Sequence, residues 1–460
     1  MERKNAWLSY NECDKAAVEA VAKRYCAFLD AGKTERECAS EAIRLAEEKG
    51  YTDLNCKIVS GEKIVAGDKL YVNWMGKAVM LFVIGKNPIE KGINILGAHI
   101  DSPRIDIKQN PLYEEGGFAY LDTHYYGGIK KYQWVAIPLA MHGVVAKRDG
   151  AIINVNIGEK EDDPVFCISD LLIHLSAEQM GKKAAEVITG EQLDIMIAGA
   201  PIMDEEKETI KGSVLKMLKE QYGIEEEDFL SAEIEVVPAG KARDMGLDRS
   251  MILGYGHDDR VCAYAQLEAM FDIEGVPEKT CCCILADKEE IGSVGATGMQ
   301  ARYFENAMAE IMNLTGDYSE LKLRRALQNS RMLSCDVSAG FDPAFASAFE
   351  KKNAAFLGNG VCFNKFTGSR GKSGSNDANA EYLARVFKVM DDGNVSFQTA
   401  ELGKVDVGGG GTIAYICALY GMEVVDSGVA VLNMHAPWEI IDKADLYEAY
   451  KGYKAFVLNA

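Results

Sequence analysis

Histidines and carboxylates in this chain recur at the ends of apolar runs that have the length of a β-strand. Four runs carry them, NILGAHID, CCCILADKEE, RMLSCDV and GVAVLNMHA, and the residues are His99, Asp101, Glu289, Glu290, Asp336 and His435. In an open α/β sheet, ligands gather outside the carboxyl ends of the strands. The pattern therefore predicts that these side chains converge at one edge of a sheet and hold metal ions there.

Asp258 differs from the others because it opens a helix-like stretch, DDRVCAYAQLEAMF, instead of closing a strand. Two divalent ions about 3.5–4 Å apart need one carboxylate that bridges them and further ligands for each ion. Asp258 is the natural bridge. His99 and Asp336 would complete one ion, and Glu290 and His435 would complete the other. Oxygen donors with two imidazoles and no thiolate favour Zn²⁺, Co²⁺ or Mn²⁺.

Asp101 and Glu289 stand beside these ligands and have other roles in this interpretation. The H-x-D spacing lets Asp101 accept a hydrogen bond from the far ring nitrogen of His99 and so fix the tautomer of the ligand. Glu289 is adjacent to Glu290 and would face the open cavity. It would act as a general base that takes a proton from the attacking water and passes it to the leaving amine.

Each of these signals has an ordinary structural explanation when taken alone. An HxD triplet is typical of a hydrogen-bonded histidine beside a turn, and the pair Asp258–Asp259 is typical of a helix N-cap. The pair Glu289–Glu290 resembles a solvated surface. The joint occurrence of all the segments, in the order that a two-metal hydrolase requires, favours the metal site.

Positive charge for a substrate carboxylate could come from the loop FNKFTGSRGKSGSND, which carries Lys365, Arg370 and Lys372, although a solvated loop explains it equally well. The glycine run Gly408–Gly411 precedes a helix-like stretch but lacks the GK[ST] ending of a P-loop, so nucleotide binding is not expected. The apolar neighbours of His174 in DLLIHLSAEQ indicate a core or interface residue.

Composition and charge limit the classes of partner that the protein is expected to bind. The 460 residues include 50 Lys and Arg against 70 Asp and Glu, and the formal charge of −20 argues against nucleic acid or an anionic membrane as partner. The first residues show no signal-peptide core, and the longest apolar runs are far shorter than the ~20 residues of a membrane helix. Twelve cysteines without a CxxC pair indicate reduced thiols, so we expect a cytoplasmic protein.

The elements that must position the candidate ligands alternate between helix and strand. DKAAVEAVAKRYCAFLDAG and ERECASEAIRLAEEKG have helical spacing and end in Gly, and AVMLFVIG and INILGAHI predict buried strands. WVAIPLAMHGVVAKR and AIINVNIG predict antiparallel strands, and DEEKETIKGSVLKMLKEQYGIEEEDF predicts a solvated helix. The βαβ alternation returns at GHDDR and ends with the helix KADLYEAYKGYKAFVL.

This change of character predicts an α/β protein of two domains. A catalytic domain would comprise residues 1–104 and 247–460. An inserted, β-rich domain, residues 105–246, would serve as an oligomerisation or lid element. The metal site would then be assembled from segments on both sides of the insertion.

The motifs GAHIDSPR, GHDDR, DKEEIGS and NMHAP, in this order, resemble those of the aspartyl aminopeptidase family of co-catalytic zinc metallo-aminopeptidases. The resemblance covers nearly the whole chain. Eukaryotic members carry histidines shortly after the position of Asp336, whereas this chain reads DVSAGFDP. From the last histidine, the chain reads HAPWE. These features resemble the bacterial branch of the family.

The resemblance implies a mixed-sheet α/β/α zinc-peptidase domain, an inserted dimerisation domain, and a tetrahedral dodecamer whose active sites face an inner chamber. It implies metal binding by His99, Asp258, Glu290, Asp336 and His435. It also implies that Asp101 orients His99, that Glu289 is the base, and that His174 reaches the site of a neighbouring protomer.

The sequence therefore predicts a cytoplasmic, homo-oligomeric aminopeptidase that uses two metal ions to remove N-terminal residues, acidic or of a broader range, from peptides. A related two-metal deacylase or carboxypeptidase would use the same ligands and remains an alternative. A non-catalytic, self-assembling shell protein is a further alternative, although no ligand of the set is missing.

Overall fold

The computed structural model describes residues 4–202, 209–368 and 371–460. The chain divides into two compact units. The first comprises Met1–Asp101, Ala242–Met434 and Glu439–Ala460, and the second comprises Ser102–Lys241 with the short segment His435–Trp438. The second unit overlaps the segment 105–246, whose role as a dimerisation or lid domain stays a prediction.

Helices and strands are numbered in chain order. The helices of the described residues are α1 (Glu12–Ala31), α2 (Glu35–Glu48), α3 (Leu54–Ser60), α4 (Ala177–Met180), α5 (Ala184–Val187), α6 (Thr209–Met217), α7 (His257–Phe271), α8 (Tyr303–Thr315), α9 (Glu320–Asn329), α10 (Ala380–Asp392), α11 (Ala414–Ala418) and α12 (Lys443–Asn459).

The strands, in the same part of the chain, are β1 (Thr52–Asp53), β2 (Lys69–Trp74), β3 (Ala78–Val83), β4 (Asn94–His99), β5 (Arg104–Glu115), β6 (Phe118–Tyr126), β7 (Leu139–Ala146), β8 (Ile152–Ile157), β9 (Ile195–Ala198), β10 (Ala232–Pro238), β11 (Arg243–Met245), β12 (Met251–Gly254), β13 (Cys281–Ala286), β14 (Arg331–Cys335), β15 (Ser338–Ala339), β16 (Val361–Asn364), β17 (Phe397–Thr399), β18 (Glu423–Gly428), β19 (Ala430–Leu432) and β20 (Glu439–Asp442).

The first unit is built on a nine-stranded mixed sheet in the order β1-β2-β3-β13-β4-β14-β18-β16-β17. Its four central strands, β13, β4, β14 and β18, run parallel to one another. Strands β3, β4 and β13 are buried along their whole length. Continuous apolar runs are expected there because helices cover both faces of a parallel sheet.

Two hydrophobic cores lie on opposite faces of this sheet. Alternate residues of β4 divide between them, with Leu96 in the core of α1, α2, α7, α10 and α12, and Ile95 in the core of α3, α8, α9 and α11. Cys282 likewise packs in the second core, whereas Cys281 and Cys283 pack in the first. The predicted α/β/α arrangement is confirmed. Cys281, Cys282 and Cys283 are buried, whereas Cys13, Cys56 and Cys167 are exposed.

Local sequence sets the ends of the first helices. Asn11 and Asp14 form a capping box at the start of α1, and Thr34 and Glu37 form another at the start of α2. Each box satisfies backbone N–H groups that have no partner within the helix. These helices therefore begin where the sequence pattern predicts.

A five-stranded sheet, in the order β11-β12-β20-β19-β15, completes the first unit. Strand β12 leads directly into α7, and β20 pairs antiparallel with β12. This sheet fixes the start of α7, which carries Asp258, and the position of Glu439 at the start of β20.

The second unit is a six-stranded antiparallel sheet in the order β8-β7-β10-β5-β6-β9. Its core includes Ile105, Leu139, Val145, Ile195 and Val236, all fully buried. The predicted antiparallel strands are confirmed as β7 and β8, which pair with each other. Residues 204–208 of the predicted charged helix lie outside the described residues, and α6 begins after them.

Within the described ranges, the structure contains no helix with the length and apolar character needed to cross a lipid bilayer.

Candidate metal centre

Three adjacent parallel strands, β13, β4 and β14, position most of the candidate ligands. Strand β4 ends at His99, which is in register with Ala286, the last residue of β13. Strand β14 pairs with β4 on the other side, and Asp336 follows its last residue. Because the strands are parallel, their carboxyl ends meet at one edge of the sheet. His99, the turn with Glu289, and Asp336 are therefore neighbours.

Asp258 enters this edge from α7. Its ψ of 110° lies outside the helical region, and its peptide bond to Asp259 is cis. The backbone N–H of Asp258 donates to Oε2 of Glu439 over 2.9 Å. Strand β20 thereby holds the backbone from which the Asp258 carboxylate projects.

His99 lies at the centre of the carboxylates. Its Nε2 is 3.3 Å from Oδ1 of Asp258, 3.8 Å from Oδ1 of Asp336 and 3.9 Å from Oε2 of Glu289. Among the described residues of the first unit, two sets of possible ligand atoms lie within 4.8 Å of one another. One set is His99 with Asp258 and Asp336, and the other is His99 with Glu289 and Glu290.

The Asp101 carboxylate links the histidine to both glutamates. The Nδ1 atom of His99 is 2.9 Å from the Asp101 carbonyl oxygen and 3.3 Å from its Oδ1. The two carboxylate oxygens of Asp101 accept from the backbone N–H groups of Glu289 and Glu290, over 3.1 and 3.2 Å. One buried side chain therefore sets the orientation of the imidazole and the position of the glutamate turn.

Asp336 is placed by close backbone contact as well. Its N–H donates to the carbonyl of Ser427 over 2.8 Å. A Cβ atom on the next residue, Gly428, would lie 1.7 Å from the carbonyl oxygen of Asp336. A glycine is therefore required where β18 passes Asp336.

Burial and mutual repulsion raise the pKa values of the acids at this edge. Burial, and then the negative charge of Asp336, raise the pKa of Glu289 to about 8. Burial and Asp336 likewise raise the pKa of Asp259 well above its ordinary value. Burial lowers the pKa of His99, yet hydrogen bonds with Asp101, Asp258 and Asp336 outweigh it, and this pKa is well above its ordinary value.

The donor set fits zinc. In both of these sets, one imidazole nitrogen lies near carboxylate oxygens, and neither set contains a cysteine. Nitrogen and oxygen donors of this kind bind Zn²⁺, and crowded carboxylates are stabilised by a dication that neutralises them. The pKa of Glu289 is raised by burial and by the negative charge of Asp336, and such ions would neutralise that charge.

His435 lies in the short segment that packs with the second unit. Its Nδ1 is 2.8 Å from the carbonyl oxygen of Gly128, and its backbone φ is +65°. A carbonyl at Nδ1 leaves Nε2 as the nitrogen suited to bind a metal. In the sequence this segment is flanked by β19 and β20, which are strands of the first unit.

The three predicted substrate-binding residues have other surroundings. His174 is exposed in a 3₁₀ turn of the second unit, Ile173–Leu175, and not in a core. Lys365 and Lys372 are about half exposed, and both pair with Asp377, Lys372 over 2.9 Å. Arg370 lies outside the described residues.

Two residues of this edge were not assigned a role from the sequence. Oδ2 of the buried Asp259 accepts from the backbone N–H of His99 over 3.3 Å. Glu439 accepts from Asp258, as described above. In the sequence, Asp259 could have been noticed as the second aspartate of GHDDR, and Glu439 as the final glutamate of HAPWE.

Comparisons with known proteins agree with this geometry. Residues 28–457 match the family described as Aminopeptidase I zinc metalloprotease (M18). The chain is 58% identical over 459 residues to a probable M18 family aminopeptidase 1 of Clostridium acetobutylicum, covering 100% of this chain and 98% of that one.

Solved structures agree as well. The crystal structure of an M18 family aminopeptidase from Thermotoga maritima is similar, with a TM-score of 0.95, 45% identity and complete coverage of both chains. The mApe1 dodecamer of S. cerevisiae shares the fold, with a TM-score of 0.75 and 20% identity over 95% of this chain and 96% of that one. This chain belongs to the M18 family of zinc metallo-aminopeptidases and is a peptide hydrolase.

Proposed function

We propose that this member of the M18 family removes N-terminal residues from peptides with two zinc ions bound at the edge of its central sheet. His99 and Asp336 would hold one ion, Glu290 and His435 the other, and Asp258 would bridge them. The observation that carries this proposal is the approach of possible ligand atoms of His99, Asp258 and Asp336 to within 4.8 Å of one another.

His435 is included on its sequence context and its hydrogen bond. It follows an apolar run in NMHAP, and its Nδ1 is hydrogen-bonded to the Gly128 carbonyl, as expected for a ligand that binds through Nε2. Cobalt and manganese suit the same donors. Bound zinc lowers the pKa of a coordinated water towards ~7 and polarises the scissile carbonyl.

Glu289 is the proposed general base. Its carboxylate lies beside His99, and its side chain is 15% exposed, so that a substrate can reach it. Burial and the charge of Asp336 raise the pKa of Glu289, and zinc ions bound beside it would offset that charge and leave the carboxylate ionised and able to accept a proton. Glu289 would take a proton from the attacking water and pass it to the amine of the departing peptide.

Asp101 would act through its neighbours. By accepting from His99 and from the backbone of both glutamates, it keeps the ligand tautomer and the base in fixed relation. Asp259 would support the same histidine from its backbone side.

The proposed range of substrates is wider than peptides with an acidic first residue. The proposed substrates are peptides with a free N-terminus, and their first residue can be Asp, Glu or another residue. Lys365 and Lys372 would attract an acidic side chain, but both ammonium groups already face Asp377. An additional anion would therefore have to compete with that carboxylate, so we propose a range wider than acidic residues.

Self-association is proposed from the second unit. The residues around His174 include Leu171, Leu172, Ile173 and Leu175, each at least 45% exposed. An exposed apolar patch of this kind marks an interaction surface. Together with the mApe1 dodecamer, this supports a homo-oligomer, with a dodecamer as the specific expectation and His174 directed to a neighbouring protomer. The mass in solution by light scattering tests it.

The adjacent glutamates test the mechanism because they are assigned different roles. In Glu289→Gln we expect zinc content to persist while the turnover of aminoacyl reporters falls by about 10²–10⁴-fold. In Glu290→Gln we expect zinc itself to be lost. Zinc by mass spectrometry and reporter hydrolysis measure the two effects.

Glu278→Gln is the matched control, since Glu278 is an exposed glutamate paired with Lys86. It should retain both zinc and activity. Normal turnover in the Glu289→Gln variant would remove this residue from the mechanism. Equal zinc in all three variants would remove Glu290 from the ligand set.

A further inference from the structure

A cavity lies at the amino ends of β13 and β14, at the opposite end of these strands from the carboxylates. It has a volume of about 720 Å³. Lys279 precedes β13, and Arg331 is the first residue of β14, in register with Asn94 at the start of β4. Since a strand rises about 3.3 Å per residue, the six residues of β4 separate this cavity from His99 by roughly 17 Å.

The lining of this cavity is strongly cationic. Its charged residues are Lys91, Lys279, Arg331, Arg385, Lys388 and Asp392. The one acidic side chain of the lining, Asp392, pairs with Lys388 over 2.5 Å. Nζ of Lys279 donates to the main-chain oxygen of Ala460 over 3.2 Å, and Arg331 and Arg385 form no ion pair with any described side chain.

Lys279, Arg331 and Arg385 repel one another. Burial, and then the charges of Arg331 and Arg385, lower the pKa of Lys279 to about 8. Burial and Arg385 also lower the pKa of Arg331. A group of cations held together without anions is stabilised by an anion that enters from solvent.

We propose that this cavity binds a small organic molecule that carries two or more phosphate groups. Two guanidinium groups offer paired N–H donors that match phosphate oxygens, and Lys279 adds a third cation to the same cavity. The volume is within the range of small-molecule sites. The formal charge of −20 disfavours a long polyanion such as nucleic acid, so the ligand is small.

Calorimetric titration of the zinc-loaded protein with a hexose bisphosphate tests the assignment. In the double variant Arg331→Gln with Arg385→Gln, we expect the affinity to fall by about a hundredfold, at about tenfold for each lost charge-assisted contact. Arg385→Gln alone should show about a tenfold loss. Arg385 is exposed, so this single variant should fold normally.

The matched control removes two positive charges elsewhere. Lys86 and Arg324 are exposed and are paired with Glu278 and Glu320. The variant Lys86→Gln with Arg324→Gln should bind as the wild type does. Binding at the metal centre would survive the loss of Arg331 and Arg385, so unchanged affinity in that double variant overturns the proposal.

A tricarboxylate, tricarballylate, serves as the second probe. Weaker binding of tricarballylate than of the bisphosphate supports the phosphate assignment. Equal or tighter binding overturns it, because the cavity would then select for charge and not for phosphate geometry.

Discussion

The same three strands, β13, β4 and β14, end in opposite chemistry. At their carboxyl ends, ring nitrogens of His99 lie within 3.9 Å of carboxylate oxygens of Asp101, Asp258, Asp336 and Glu289. At their amino ends, Lys279 and Arg331 line a cavity with Arg385. Strand direction places both groups, since each residue type lies at one end of a buried apolar run.

The two ends differ in how firmly their side chains are held. The acidic end uses short, buried side chains that accept hydrogen bonds from backbone N–H groups, as Asp101 and Asp259 do. The basic end uses long side chains, half-buried or exposed, with few contacts. A centre for hydrolysis needs fixed geometry, whereas a pocket for a charged ligand tolerates adjustable side chains. The two ends should therefore respond differently to substitution.

The largest effect is expected at the proposed bridging ligand, Asp258. Asp258→Asn keeps the shape of the side chain and the backbone bond to Glu439, but removes the charge that two zinc ions are proposed to share. We expect zinc to be lost and hydrolysis to fall to background, because neither ion retains its full ligand set. Metal analysis and reporter turnover measure it.

The control for this variant is Asp391→Asn, which removes a negative charge at an exposed position of α10. It should leave zinc and turnover unchanged. Full zinc occupancy in Asp258→Asn would contradict the bridging role, while phosphate binding at the amino ends should persist in both variants.

A change in the shared strand should weaken both ends together. Leu96 lies in the middle of β4 and is fully buried. Leu96→Ala should lower the free energy of unfolding by about 2–5 kcal/mol, because a cavity is left in a packed core. Urea unfolding measures it. Leu321→Ala, at a position 56% exposed, should change it by less than about 0.5 kcal/mol.

Asp101→Asn should sharpen the distinction between ligand and positioning residue. The amide has the same shape but loses the charge that faces His99, and its nitrogen cannot accept from a backbone N–H group. Zinc affinity or turnover should fall by about 10–100-fold. A chelator competition titration and kcat/KM measure these effects. If zinc affinity and kcat/KM are both unchanged in Asp101→Asn, the carbonyl of Asp101 alone orients His99.

The smallest effect concerns pH at the basic end. The pKa of Lys279, about 8, lies between neutral and alkaline pH. The ammonium form is present below this pKa and is lost above it, whereas Arg331 and Arg385 stay charged. Bisphosphate affinity should therefore fall severalfold between about pH 7 and 9, since phosphate is already ionised in this range. In Lys279→Met this dependence should disappear, and a persisting slope would assign it elsewhere.

The acidic end could be predicted from sequence in large part. Buried parallel strands leave continuous apolar runs, so a histidine or carboxylate directly after the run marks the strand end. This reasoning identified His99, Glu289 and Asp336 as neighbours. Asp259 was not identified as a contact of His99, because a pair of aspartates before a helix has the same appearance as an N-cap.

The basic end could not be predicted in this way. Lys279, Arg331 and Arg385 lie more than fifty residues apart in the sequence and share no motif. Charged residues at the start of a strand are common on any surface, and only the parallel pairing of β4 with β13 and β14 brings two of them together. Arg385 joins from α10, whose position depends on packing.

The contact between Gly428 and Asp336 has a consequence for how mutational data on this protein should be interpreted. Gly428 contributes no functional group, yet even a methyl group there would overlap the aspartate backbone and force two strands apart. Saturation screens for loss of activity should therefore rank this position with the catalytic residues. Protein sequence design on this scaffold should hold it fixed for the same reason.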